Sequence, residues 1–240
     1  MPTSLGPMSA PRVALSHSVL DIVGVEIVSG QVPAGSAFTL QDIIERFEVS
    51  RTVARETMRA LEELSLVAAR PRIGITVLPA ERWNVFSPRV IEWRLQSGQQ
   101  DAQLRSLTEL RFAVEPAAAR LAATRATDAQ RARIVELAAT LGRLGEAGAG
   151  HEEEFLATDI EYHALLLHAS GNEMFAALTG TIGEVLVGRT RLGLQPAFPE
   201  AEALARHHSL ARAIADGDAE AAEAHANALG HEVRDALSRR

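Results

Sequence analysis

The stretch from Phe38 to Leu64 constrains this chain more than any other. It runs Phe38-Thr-Leu-Gln-Asp-Ile-Ile-Glu-Arg-Phe-Glu-Val-Ser-Arg-Thr-Val-Ala-Arg-Glu-Thr-Met-Arg-Ala-Leu-Glu-Glu-Leu64 and predicts two short helices joined by a tight turn at Glu48 and Val49. Thr39 is placed to cap the first helix and Ser50 the second, each hydroxyl turned back on backbone N–H groups that lack a helical partner. In the second helix Val53, Thr57, Ala60, Leu61 and Leu64 recur at helical spacing, which makes a buried stripe. Arg51, Arg55 and Arg59 lie four apart, so their guanidinium groups leave from one side. A helix with an apolar back and an arginine row near its N-terminus suits a DNA major groove, where arginine forks bind guanine edges or phosphates. A lone basic helix is more often only a solvated face. Here the preceding helix, the turn and the following segment all fit a groove-reading unit.

Leu66 to Val77 predicts a two-stranded hairpin with Arg70, Arg72 and Gly74 at or near its tip, a wing beside the second helix. Ahead of it lies an amphipathic helix from about Val13 to Val28, stopped by Ser29 and Gly30. The whole run, residues 14–78, resembles the winged helix-turn-helix of the GntR family of bacterial regulators. The string Val49-Ser-Arg-Thr-x-x-Arg-Glu-x-x-Arg-x-Leu61 is the specific part. The resemblance implies that Arg51 and Arg55 read or clamp operator DNA while Arg72 and Gly74 enter the groove from the wing. Gln41, Ser50, Thr52, Arg59 and Arg70 complete the candidate DNA-binding set. Many relatives carry an arginine where Gln41 stands, so an operator sequence does not transfer from them.

Composition narrows the chemistry. The chain has no cysteine, which excludes disulfides, thiolate metal sites and cysteine catalysis. All 24 basic residues are arginine, so a Schiff-base lysine and a P-loop lysine are excluded as well. No apolar run reaches spanning length and no signal pattern opens the chain, so no membrane partner and a cytoplasmic location are expected. The net charge of −7 runs against nucleic-acid binding, but Arg51, Arg55, Arg59, Arg70 and Arg72 fall within one predicted unit. Glu56, Glu62 and Glu63 share it, which predicts weak non-specific affinity and steep salt dependence.

The fold class expected is mainly α, an N-terminal winged helix-turn-helix followed by a C-terminal all-α helical bundle. Residues 1–12 read as a disordered leader, 13–79 as the winged unit, 80–103 as a linker with a short helix and 104–240 as the bundle. In the linker Trp83, Phe86 and Trp93 are expected to pack structurally. Its Trp-Asn…Pro-x-Val-x-x-Trp-Arg-Leu pattern resembles relatives that respond to sugar acids such as galactonate or gluconate. Bundle helices are expected at 104–125, 128–146, 152–170, 173–192, 200–216 and 219–238, with 145–150 a flexible loop.

Asp159 and His163, four apart, leave one helix face about a turn apart. His207 and His208 follow two elements later, and His225 lies on the last helix. A carboxylate and imidazoles from three helices make a candidate site for a divalent metal such as zinc, nickel or manganese. An Asp and His spaced this way also pair on helix surfaces by chance. Three strings give weight to the metal: Asp159 to Asn172, Leu110 to Leu121 and His207 to Asp218. Together they resemble the all-helical effector domain (FCD type) of the FadR subfamily of GntR regulators. The resemblance implies Asp159, His163 and His207 as ligands of a metal over which an organic acid binds. Its fourth ligand position falls on Leu229, which cannot ligate; His225, one turn earlier, is the substitute, and His208 a reserve. It also assigns Arg111 to the effector's carboxylate, against a salt bridge to Glu115 one turn on. Tyr162 and Glu161 are expected to point away from the site.

The expected function is a ligand-responsive transcriptional repressor, a homodimer on operator DNA, released by a small carboxylate such as a sugar acid. Two rivals remain: a metal-dependent hydrolase or lyase at Asp159, His163 and His207, and an architectural DNA-binding protein whose bundle only dimerises.

Overall fold

A computed structural model describes the backbone of residues 12–70 and 74–238 and the side chains of 19–70 and 74–230. The chain divides into two compact units, Met1–Gln100 and Asp101–Arg240. Among the described residues no helix is long and apolar enough to cross a membrane.

The first unit is built from α1 (Arg12–Val28), β1 (Ala37–Phe38), α2 (Leu40–Phe47), α3 (Arg51–Glu63), β2 (Val67–Arg70), β3 (Gly74–Val77) and α4 (Pro88–Gln96). Local signals set α2 and α3. The Thr39 hydroxyl accepts from Asp42 N while the Asp42 carboxylate accepts from Thr39 N, a reciprocal capping box. Glu48 ends α2 in the left-handed conformation, φ 51°, and Ser50 caps α3 by accepting from Val53 N. Val53, Ala54, Thr57, Met58 and Leu61 are buried. Most of this stripe packs with Val19, Leu20, Val23 and Ile27 of α1 and with Trp93 of α4.

The wing differs from the expected hairpin by one strand. β3 pairs antiparallel with both β2 and β1, in the order β1-β3-β2. Gly74 is required there: its φ is +99°, and a Cβ would lie 2.9 Å from the Phe38 carbonyl oxygen of β1. The Glu62 carboxylate of α3 accepts from Ala69 N, tying the wing to that helix. Of the linker aromatics, the two tryptophans pack structurally as expected, and Phe86 is not buried with them. Trp93 is buried against Gly24 and donates to Asp21, and Trp83 donates to the Leu78 carbonyl, while Phe86 is more than half exposed.

The second unit is helical: α5 (Gln100–Arg125), α6 (Asp128–Glu146), α7 (Glu153–Ala169), α8 (Glu173–Ala176), α9 (Thr179–Arg191), α10 (Ala201–Asp216) and α11 (Ala219–Ser238). Alanine and leucine from α5, α6, α7, α10 and α11 make its core. Two expectations need correction. The helix expected over 173–192 is two, α8 and α9, parted at Ala177 and Leu178, where no glycine or proline signals a break. Nor is 145–150 a free loop. Gly145 lies inside α6, its missing side chain leaving room for Leu204, and Gly148 and Gly150 seat Phe198 and Pro199. Gly150 N donates to the Ala197 carbonyl, fixing that seat.

Arg131 of α6 stitches two helix ends together. Its guanidinium donates to the Ala123 and Ala126 carbonyls at the end of α5 and to the Ile214 and Ala215 carbonyls at the end of α10. These carbonyls sit at the negative ends of the helix dipoles, and of them only Ile214 also accepts a backbone N–H, that of Gly217. Arg131→Met is expected to lower stability by about 2 kcal/mol, read as a shift of the denaturation midpoint at unchanged slope.

Candidate functional site

Arg51, Arg55 and Arg59 are all exposed on α3, opposite its buried stripe. Among the described residues no acid pairs with any of them. Ser50 and Thr52 are exposed beside them at the helix start, where free backbone N–H groups and the positive dipole end also face solvent. Gln41 is exposed on α2 with its amide donating to Glu45 at 2.8 Å. Arg70 is exposed at the end of β2, opposite Gly74. Arg72 lies outside the described residues. Glu56, Glu62 and Glu63 are exposed on the same helix, so the positive surface is narrow.

The second cluster is interior. Asp159, His163 and His207 each offer one ligand atom, and these atoms lie within 4.8 Å of one another. α7 supplies Asp159 and His163 from one face, and α10 supplies His207. Asp159 Oδ1 is 3.4 Å from His163 Nε2 and 3.6 Å from His207 Nε2. Two nitrogen or oxygen donors on one tetrahedral zinc lie about 3.4 Å apart, given bonds of about 2.0–2.1 Å, so the spacing fits such an ion.

The hydrogen bonds point the same way. His207 Nδ1 lies 2.9 Å from the Ala203 carbonyl, so that nitrogen carries the ring proton and Nε2 presents its lone pair. His207 Nε2 and Asp159 Oδ1 are both buried with no hydrogen-bond partner. Two orphaned acceptors facing each other call for a shared cation. His163 Nδ1 lies 3.1 Å from Glu115 Oε1, the carboxylate–histidine arrangement that orients a metal-ligating imidazole. Burial, the largest influence, and the Arg111 charge push the His163 pKa down, but the Glu115 charge and the hydrogen bonds to Asp159 and Glu115 together leave it raised. Arg111 Nη2 lies 2.8 Å from Nε2, and a guanidinium has no acceptor, so a metal ion at Nε2 would have to take the place of that contact. Burial pushes the Asp159 carboxyl up, but the two imidazoles of His163 and His207 beside it hold it well below the usual carboxylate range.

Of the two readings of Arg111, the salt bridge to Glu115 is the one seen. Arg111 is buried on α5, bonded to Glu115 through Nε at 2.9 Å and Nη2 at 3.3 Å, and it also touches His163. Its Nη1 is buried without a partner. Burial alone raises the Glu115 carboxyl; the Arg111 charge, then His163, bring it down to about 2.

The remaining sequence candidates are placed differently. His225 on α11 is half-buried and outside the convergent group, and His208 is exposed. Leu229 is buried, at 5% exposure, and lines a small cavity beside Arg111 and Glu115. Glu161 does point away, paired with Arg133 at the surface. Tyr162 does not. It is wholly buried, its ring centroid 5.4 Å from that of His163 and 5.2 Å from that of His207, and its hydroxyl donates to the His207 carbonyl. On an ideal helix Tyr162 turns from Asp159, but α10 packs on that side too. Glu115 as the partner of His163 was missed, since only the crossing of α5 with α7 brings them together.

Residues 15–77 match the family of bacterial regulatory proteins called the gntR family, and residues 106–231 match the FCD domain. The chain is 31% identical over 207 residues to the galactonate operon transcriptional repressor of Escherichia coli (strain K12), covering 84% of this chain and 87% of that protein. It is 27% identical over 224 residues to the HTH-type transcriptional regulator LutR of Bacillus subtilis (strain 168), covering 88% and 96%. Among solved structures it resembles a GntR protein of Streptococcus agalactiae, with a TM-score of 0.51 at 21% identity, covering 92% of this chain and 99% of that one. It also resembles Lar, described as controlling the Listeria monocytogenes agr system, with a TM-score of 0.59 at 12% identity, covering 98% and 99%. At such identities the structural likeness is one of fold.

Proposed function

This chain belongs to the gntR family of bacterial regulatory proteins and carries an FCD domain, and on that premise we propose that it is a repressor whose operator affinity is set by a small carboxylate bound at a divalent metal. That it is a transcriptional regulator and not an enzyme follows from the family and from its relatives. The metal and the effector are the proposed part. One observation carries them: Asp159 Oδ1 and His207 Nε2 are buried and unpartnered 3.6 Å apart, with His163 Nε2 3.4 Å from the same Asp159 oxygen.

Asp159, His163 and His207 would hold zinc, nickel or manganese. The bound ion supplies a Lewis-acidic centre to which an anionic oxygen can attach, because three protein donors leave a position open. Glu115 holds the His163 ring, the Ala203 carbonyl holds the His207 ring, and Arg111 supplies a fixed positive charge beside them. On the other unit, Arg51 and Arg55 contact DNA. A homodimer would set two copies of α3 in successive major grooves of a palindrome. The effector acts by linkage, favouring a dimer arrangement whose spacing no longer matches the half-sites.

The test is fluorescence anisotropy on labelled DNA from the chain's own upstream region, with zinc present and with or without a panel of carboxylates. Tight, salt-sensitive binding released by one acid is the expected result. Binding that no acid and no chelator alters would sink the effector reading in favour of an architectural protein. A further prediction isolates Glu115. Glu115→Gln removes no ligand yet is expected to weaken zinc affinity by about 10–100-fold in competition with a chelator, and Asp159→Ala by more.

A further inference from the structure

We propose that the winged unit carries a ligand site of its own, between α1, β1 and α2, that takes a compact aromatic cation, a single ring bearing an ammonium group. The site shares no residue with the metal cluster and stands whether or not the bundle binds an acid.

The site is a cavity of about 120 Å³. An apolar protein cavity of about 150 Å³ takes up benzene, so one six-membered ring is the right size. Val23 and Ile43, both buried, line it together with the half-buried Val32, Phe38 and Phe47. A ring set among them meets two phenylalanines and leaves no polar group of its own unpaired.

The rim sets the charge. Glu26, Asp42 and Arg46 complete the lining, the last two exposed to solvent. Arg46 is already neutralised: Nη1 and Nη2 donate to the two oxygens of Glu26, and the guanidinium lies 4.8 Å from the centroid of the Phe47 ring. Asp42 Oδ2 accepts from N and Oγ1 of Thr39, both neutral donors, so among the described residues its charge has no counter-ion. The rim therefore carries one net negative charge, which attracts a cation and repels a carboxylate. Apolar walls under a negative mouth match an ammonium on a ring better than a bare ion, which stays hydrated, or a neutral ring, which leaves Asp42 to water.

The walls belong to elements that lead to the proposed DNA contacts. Phe38 pairs with Ile75 of β3, the middle strand of the wing, and Gly74 closes on the Phe38 carbonyl. Ile43 and Phe47 lie on α2, which ends at Glu48 two residues before the Ser50 cap of α3. A ligand here bears on the wing and on α3 together, and its binding is linked to operator affinity.

The experiment titrates the full chain by calorimetry with benzylamine, protonated at neutral pH, and with benzyl alcohol, its uncharged counterpart. Anisotropy on the upstream DNA is then repeated with saturating benzylamine. Benzylamine is expected to bind about fivefold more tightly than the alcohol and to change operator affinity by about fivefold or more. Val32→Phe fills the cavity and leaves the rim charges in place, so it is expected to weaken benzylamine by about tenfold or more. Should that variant fail to fold, Asp42→Asn decides: it keeps an acceptor for the Thr39 cap and is expected to erase the preference for the amine. No benzylamine binding, equal binding of the alcohol, or undiminished binding by Val32→Phe overturns the inference. So does an operator affinity that the amine leaves unchanged.

Discussion

Replacing Arg51 and Arg55 together by alanine is expected to lower operator affinity by about 10²–10⁴-fold and to leave the fold intact. Each arginine that forks onto a guanine or clamps a phosphate contributes about 1–3 kcal/mol, and both leave the same exposed face of α3. Stability is spared because neither side chain is buried or paired within the described residues and because alanine is the strongest helix former. Anisotropy at several salt concentrations is the measurement. The slope of log affinity against log salt should also flatten by about one for each phosphate left without its arginine. Full affinity in the double variant, with an unchanged helical circular dichroism spectrum, would mean that another surface carries the DNA.

The second large effect is on stability. Arg111→Met is expected to destabilise the helical unit by about 3–5 kcal/mol, because it strands the Glu115 carboxylate, 7% exposed, without its counter-charge. Adding Glu115→Gln should recover most of that destabilisation, since the neutral amide no longer needs a cation and can still accept from His163 Nδ1. Acidity provides an independent check. Glu115 titrates at about 2 in the folded protein against an ordinary 4.5. A carboxyl depressed on folding contributes stability above its ordinary value and loses it as pH falls toward the folded one. The wild type should therefore weaken between about pH 4.5 and 2. Without Arg111 the buried carboxyl titrates above its ordinary value instead, so acid relieves the variant. The stability gap between the two should narrow as pH is lowered, and a gap constant with pH would show that the pair is not what Arg111 stabilises.

Much of this was legible from sequence where the cause is local. Thr39 and Ser50 cap as their positions dictate, because a cap needs only the next three residues. Asp159 and His163 share a face because helical spacing requires it. What escaped depends on contacts distant along the chain. Gly148 and Gly150 read as a flexible loop by themselves, yet Phe198 and Pro199 from the stretch before α10 pack against them. Tyr162 reads as facing away from Asp159 until α10 packs against it. The two-residue β1 is too short to show alternation and exists only through its pairing with β3. Glu115 carries no local signal as the partner of His163.

Tyr162 is the chain's one tyrosine, wedged between the imidazoles of His163 and His207, while both tryptophans, Trp83 and Trp93, belong to the winged unit. The protein thus comes with two optical channels already sorted by location. Tryptophan emission, excited at the red edge where tyrosine is dark, follows only the winged unit. Tyr162 is the only tyrosine, so a ligand-difference spectrum at the tyrosine bands reports the interior of the bundle, and an ion or ligand arriving beside those imidazoles should perturb it. A single unlabelled sample can therefore report which half melts first and which half answers a ligand.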